Sequence, residues 1–145
     1  MDIQEKFYKA IKNSDIKNIK LFLNEITLDP TTNSNWSIHL AVRVGNINVI
    51  KLLLNDERID PSDDHNLSIN FAVENGRYDI IKLLLKDKRV NPADYNNYSI
   101  ICAFKKKYFN IVDLLWQNKK VRDSLKIDDV DLYNELLKKE KFELF

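Results

Sequence analysis

Hydrophobic residues fall along this chain in paired bursts, each pair followed by a polar stretch, and the pairing returns every 31 residues. Pro30, Pro61 and Pro92 mark the period, and Ala10, Ala41, Ala72 and Ala103 keep the same spacing. A period of this size is the signature of a stacked repeat architecture. Each full copy opens on Asp29, Asp60 or Asn91 followed by proline, which pushes the preceding residue out of helix. A polar run follows over 31–35, 62–66 and 93–97, and Ser37, Ser68 and Ser99 are expected to cap short helices at 37–44, 68–75 and 99–106. Gly45 and Gly76 then stand where a sharp reversal calls for positive φ. A second helix is predicted at 46–55, 77–86 and 108–117. Ile47, Val49, Ile50, Leu52, Leu53 and Leu54 make it apolar on more than one side, so it has to be covered on more than one side. Helices this short are marginal alone in water, so stacking between copies must hold them.

The ends vary the theme. Ile3, Phe7, Ala10 and Ile11 place a helix at 3–12, and Ser14 or Asp15 caps another at 16–25. The charged outer positions Gln4, Glu5, Lys6, Lys9 and Lys12 suit the end of a stack. After Val121 the period breaks. Residues 122–127 read as a connection, and Asp128 or Asp129 caps a last helix to about 141 with Val130, Tyr133, Leu136 and Leu137 on one side. Asn134 falls in the slot of the repeated alanine, which suggests a half-copy closing the stack. The apolar tail of Phe142, Leu144 and Phe145 is expected to pack back on it, with a short docking segment as the other reading. The expectation is one domain over 1–145: a first copy at 1–28, full copies at 29–59, 60–90 and 91–121, and a cap at 122–145.

Composition narrows the function classes. Hydrophobic residues make up 44% of the chain, enough for a core. The formal net charge of +1 gives no global pull toward nucleic acid or an acidic membrane. The first ten residues are too polar for a signal peptide, and no apolar run approaches the roughly 20 residues of a membrane span. Cys102 is the single cysteine, so a reducing compartment, cytosol or nucleus, is expected.

Ser-Ile-x-x-Ala-x-x-x-Gly followed by Ile-Lys-Leu-Leu-Leu resembles the ankyrin repeat. The family's Thr-Pro-Leu-His-x-Ala aligns with Trp36, Ser37, Ile38, His39, Leu40 and Ala41, and again with Leu67, Ser68, Ile69, Asn70, Phe71 and Ala72. The resemblance covers about 3–121, and the Asp-Pro form of the period is similar to arrays in giant viruses of amoebae and their hosts. It implies an all-α solenoid of helix-turn-helix units joined by short loops or rudimentary hairpins, with a C-terminal capping helix. It also implies a non-catalytic module that binds a protein partner, and with the charge and hydropathy above the expectation is a monomer without cofactor, nucleic-acid or membrane partner. The departures concern the loop. Each copy is two residues shorter than the usual period of about 33. Trp36, Leu67 and Tyr98 replace the family's threonine, so its hydrogen bond to the histidine is lost. Lys107 replaces the glycine of the third copy, with strain on the order of 1 kcal/mol if positive φ is kept.

No pairing of nucleophile and base can be read from the residues. His39 matches the family's structural histidine, and Cys102 reads as a small buried side chain. Asp60, Asp63, Asp64 and His65 could be imagined around a divalent cation, but their spacing fits neither an EF-hand nor a zinc pattern. Lys105, Lys106 and Lys107 form a solvated helix end or a local patch for an acidic partner. Loops are free of packing duty, so residues that vary between equivalent positions are the candidates for partner binding. These are Thr32, Ser34, Asp63, His65, Asp94 and Tyr95 at the loop; Trp36, Leu67 and Tyr98 at the next slot; and Arg43, Glu74 and Lys105 on the first helix. An adaptor acting through the C-terminal helix and a self-associating structural protein are the alternatives.

Overall fold

The computed structural model describes residues 1–143, and the side chains of residues 1–140. Helices account for nearly all the regular structure, and there is no strand among the described residues. In chain order they are α1 (Ile3–Lys12), α2 (Ile16–Leu23), α3 (Thr32–Val44), α4 (Ile47–Leu54), α5 (Asp63–Glu74), α6 (Tyr78–Leu84), α7 (Asp94–Lys105), α8 (Phe109–Trp116), α9 (Lys119–Asp128) and α10 (Val130–Glu143). Each helix of the row α1, α3, α5, α7 packs on the next, and α2, α4, α6 and α8 form a second row behind it. The architecture is an ankyrin-type helical stack.

The repeated apolar positions explain this order. Ala10, Ala41, Ala72 and Ala103 are all buried, at 0–5% exposure, in one continuous core between the two rows. An alanine at the same point of each first helix lets successive helices approach closely. On α4 the residues Val49, Ile50 and Leu53 are buried and Leu52 and Leu54 half-buried, so the helix is covered on more than one side.

The turn between the two helices is left-handed in each of the first four helix pairs. Gly45 (φ 86°) and Gly76 (φ 63°) are joined at the same register by Ser14 (φ 55°) and Lys107 (φ 60°). Lys107 therefore keeps the positive φ. Ser14 is this turn residue and not a cap: the N-cap of α2 is Asp15, whose carboxylate accepts from the Asn18 amide at 3.0 Å.

Of the two forms expected for the joins, short loops or rudimentary hairpins, the structure has the short loops. Each is an Asx turn followed by three consecutive left-handed residues within the first turn of α3, α5 or α7, and the right-handed part of those helices begins after them. Asp29 Oδ1 accepts from the Thr31 amide and hydroxyl, and Asp60 Oδ1 accepts from those of Ser62. Then come Asn33–Ser34–Asn35, Asp64–His65–Asn66 and Tyr95–Asn96–Asn97, all with φ between 49° and 60°. Left-handed backbone is rare in L-residues and usually isolated, with Asn, Asp and His the most tolerant types.

The last residue of each such turn holds the stack together. Asn35 Oδ1 accepts from the Asp60 amide at 2.8 Å, and its Nδ2 donates to Asp63 Oδ2 at 2.9 Å. Asn66 repeats the pair with the Asn91 amide (2.7 Å) and Asp94 (3.0 Å). Asn97 turns instead to Ser124 Oγ, at 2.8 Å. All three asparagines are buried.

The serines are not caps. The left-handed turn places Ser37, Ser68 and Ser99 inside the stack, at 0–1% exposure. Ser37 donates to the Pro30 carbonyl, Ser68 meets His39 Nδ1 at 2.8 Å, and Ser99 donates to Asn70 Oδ1 at 2.7 Å. His39 thus stabilises the stack through the serine of the following unit, replacing the bond to the lost threonine.

The C-terminal region corrects three expectations. Residues 122–127 lie within α9 and are not a connection: Asn118 caps that helix and its Val121 and Leu125 are buried one turn apart. Asn134 is exposed and does not continue the alanine row, because α9 already occupies the place beside α7. On α10 the buried residues are Leu132 and Leu136, whereas Val130 is 51% exposed. Trp116 donates to Glu140 at 3.0 Å and packs its ring on Tyr133, which fixes α10 against α8. Of the apolar tail, Leu144 and Phe145 lie outside the described residues, and the side chain of Phe142 lies outside those described.

Candidate functional site

The three left-handed turns and the first helices behind them bring part of the candidate set together. An open groove of about 490 Å³ runs between the second and third full copies, lined by Asp64, His65, Leu67, Asn70, Glu74, Tyr95 and Tyr98. Four candidate residues, His65, Glu74, Tyr95 and Tyr98, meet here, together with the varied-slot residue Leu67. The Tyr95 ring lies 5.9 Å from Tyr98, edge to face, and 6.2 Å from His65. Tyr98 donates to Glu74 Oε1 at 2.6 Å. That bond, reinforced by burial, raises the phenol above its ordinary range and keeps it protonated. Tyr95 is 60% exposed, although aromatic side chains of its size are usually drawn inward.

A second cluster belongs to the preceding pair of first helices. The guanidinium of Arg43 sits 5.6 Å from the Trp36 ring and 5.5 Å from the Phe71 ring, sandwiched between neighbouring units. Trp36 also meets His39 edge to face at 6.4 Å. Trp36 and Arg43 are therefore partly occupied in packing one unit on the next.

The remaining candidates are elsewhere or otherwise engaged. Asp63 and Asp94 accept hydrogen bonds from the asparagine of the preceding unit, and the bond from Asn35 is the largest cause of the lowered Asp63 pKa. Thr32 donates to the Asp29 carbonyl at 2.9 Å. Ser34 and Lys105 are exposed and outside the groove. Asp60 is bonded to Ser62, and among the described residues no three His, Cys, Asp or Glu side chains gather as a metal site would require.

Five residues escaped the sequence reading. Phe71 and Asn70 were aligned as repeat positions, yet they shape the face. Asn66, with Asn35 and Asn97, was read as ordinary loop. Its recurrence at the 31-residue period was the available signal, because a solvated loop has no reason to keep one residue type in register.

Residues 35–66 match the family model of the ankyrin repeat. Over this segment the chain is similar to an ankyrin repeat. The matched stretch runs from Asn35 to Asn66, so it spans most of α3, all of α4 and the left-handed turn Asp64–His65–Asn66. No match was found among curated proteins or among solved structures. Ankyrin repeats generally serve protein–protein interaction and are typically non-catalytic. No helix among the described residues is long and apolar enough to cross a membrane.

Proposed function

We propose that the chain is a non-catalytic module that binds a protein partner across the face formed by its first helices and left-handed turns. The observation that carries this reading is Tyr95. It is the one tyrosine, phenylalanine or tryptophan among the left-handed residues of the three turns (φ 52°), and it is held there 60% exposed. Backbone strain of this kind costs on the order of 1–3 kcal/mol and gathers at functional positions. The fold itself does not need the ring, since the equivalent positions carry Asn33 and Asp64. Tyr and Trp are the residue types that anchor protein interfaces, and Tyr98 and Trp36 continue the same face.

The C-terminal helix is a weaker candidate for recruitment. Leu132 and Leu136 are buried, and Tyr133 is packed on Trp116. The proposed compartment is the cytosol or nucleus, in line with the buried, unpaired Cys102. The similarity of the Asp-Pro period to arrays of amoebal giant viruses and their hosts points to a host-cell protein as the partner.

The test is affinity capture from such cells, followed by binding measurements on the purified partner. Tyr95→Ala and Trp36→Ala should each weaken binding by about tenfold, a loss of roughly 1.4 kcal/mol, with far-ultraviolet circular dichroism unchanged. A partner that binds both variants as tightly as the parent chain would overturn the assignment of this face.

A further inference from the structure

We propose that the groove between the second and third full repeats takes a basic side chain, arginine or lysine, presented by the partner. This rests on the protein-binding reading above and adds the chemistry of what enters. The groove is lined by the apolar Leu67 and two aromatic side chains, Tyr95 and Tyr98. Its polar lining holds two carboxylates, Asp64 and Glu74, beside His65 and Asn70. Asp64 is exposed, and no hydrogen bond of the described residues engages its carboxylate, whereas its neighbour Asp63 is tied to Asn35. Glu74 uses Oε1 to accept from Tyr98, and Oε2 has no such partner among the described residues.

Two carboxylates at the mouth of an aromatic slot suit a side chain with an aliphatic stem and a cationic tip. The stem lies on apolar surface, while the tip meets carboxylate and ring faces together. The chain's own nearby cations do not supply this charge. Arg43, although exposed, sits against the Trp36 and Phe71 rings and does not line the groove. Lys106 donates to the Glu74 carbonyl at 3.0 Å and lies over the Tyr108 ring. Lys105 is exposed and does not line the groove. An acidic or purely apolar side chain would leave Asp64 and Glu74 facing like charge or partly stripped of water, and either is unfavourable.

The experiment is a titration of the isotope-labelled full chain with blocked pentapeptides, Gly-Gly-Xaa-Gly-Gly, carrying Arg, Lys, Leu or Glu at the centre. The amides of Leu67, Asn70, Glu74, Tyr95 and Tyr98 are expected to shift together with the Arg and Lys peptides and not with the Glu peptide. The affinity should fall about fivefold between low and physiological salt. It should fall about as much in the double variant Asp64→Asn plus Glu74→Gln, which retains an acceptor for Tyr98. Equal shifts with the Leu peptide, or no change in the double variant, would overturn the basic-side-chain assignment and leave the partner-binding face standing. Shifts confined to amides outside the groove would overturn it as well. Partner binding is read separately through Trp36→Ala, which lies outside this groove.

Discussion

At the scale of single residues, the stack depends on polar side chains that were easily mistaken for loop. Asn66 illustrates this. It is buried, it accepts the Asn91 amide, and it adopts a φ of 60° that asparagine tolerates better than most residues. Asn66→Ala leaves that amide without an acceptor and puts a less tolerant residue into left-handed backbone. We expect a loss of about 2–3 kcal/mol in urea unfolding. Asn96→Ala, exposed in the equivalent turn of the next copy, should lose only about 1 kcal/mol. His39 adds a pH dependence. Burial lowers its pKa below the ordinary 6.5, so the folded chain holds it neutral while the unfolded chain takes up a proton. Stability is then complete above about pH 6.5 and declines as pH falls toward the folded value, by at most about 1.4 kcal/mol per pH unit. Urea midpoints at pH 7.5 and 5.5 should diverge in the parent chain and draw together in His39→Gln. The lowered carboxylates Asp56, Asp63 and Asp87 act in a separate window, below their ordinary value of 3.8.

At the scale of elements, the second helices were the most legible, because Val49, Ile50 and Leu53 recur as Ile80, Ile81 and Leu84 and as Ile111, Val112 and Leu115. The first helices were legible in place but not in their beginnings. Ser37, Ser68 and Ser99 look like caps by type, and only the left-handed turn ahead of them, which the sequence does not announce, moves them into the interior. Helix α9 was missed for a different reason. Two apolar residues, Val121 and Leu125, make a faint stripe, and Ile127 interrupts the pattern although it is 80% exposed. Of the candidate site, the aromatic positions were legible by their variation, whereas the occupation of Asp63 and Asp94 depends on neighbours one unit away. The turn between helices gives a sharper test. Across Gly45 lies Arg77, which donates to the Arg43 carbonyl at 3.0 Å, and a Cβ there would fall 1.2 Å from Arg77 Nη1. Gly45→Ala must displace that side chain and also strain φ, so it should lower stability by about 2 kcal/mol or more. Lys107→Gly reverses the argument: the strained φ of 60° is relieved, and melting should rise by roughly 2–5 °C. A fall in melting temperature would show that the lysine side chain contributes more than its backbone strain removes.

At the scale of the whole molecule, stability in a stack is a sum of unit terms and nearest-neighbour interfaces, and each unit is too small to stand without the next. Two kinds of contact cross the boundaries between the full copies: apolar packing between rows of helices, and the polar ladder through Asn35, Asn66, His39 and Asn70. Arginine adds a third at some boundaries. Arg58 pairs with Asp56 at 2.6 Å and reaches back to the Leu23 and Leu28 carbonyls, joining the second unit to the end of the first. Damage in the middle unit therefore removes support on both sides. Leu84 is fully buried on α6, with units before and after it. Leu84→Ala should destabilise the chain by roughly 2–5 kcal/mol, comparable to the whole stability of a small domain. Leu21→Ala, at a side chain already 56% exposed on α2, should change it by less than about 0.5 kcal/mol. Amide hydrogen exchange distinguishes a shared loss from a local one. If the units support one another, Leu84→Ala speeds exchange at Ile50 and Val112 as well as at Ile81, because the neighbours lose a partner. Faster exchange at Ile81 alone, with Ile50 and Val112 protected as before, would mean that the units are stable separately and that the ladder contributes little to holding them in register.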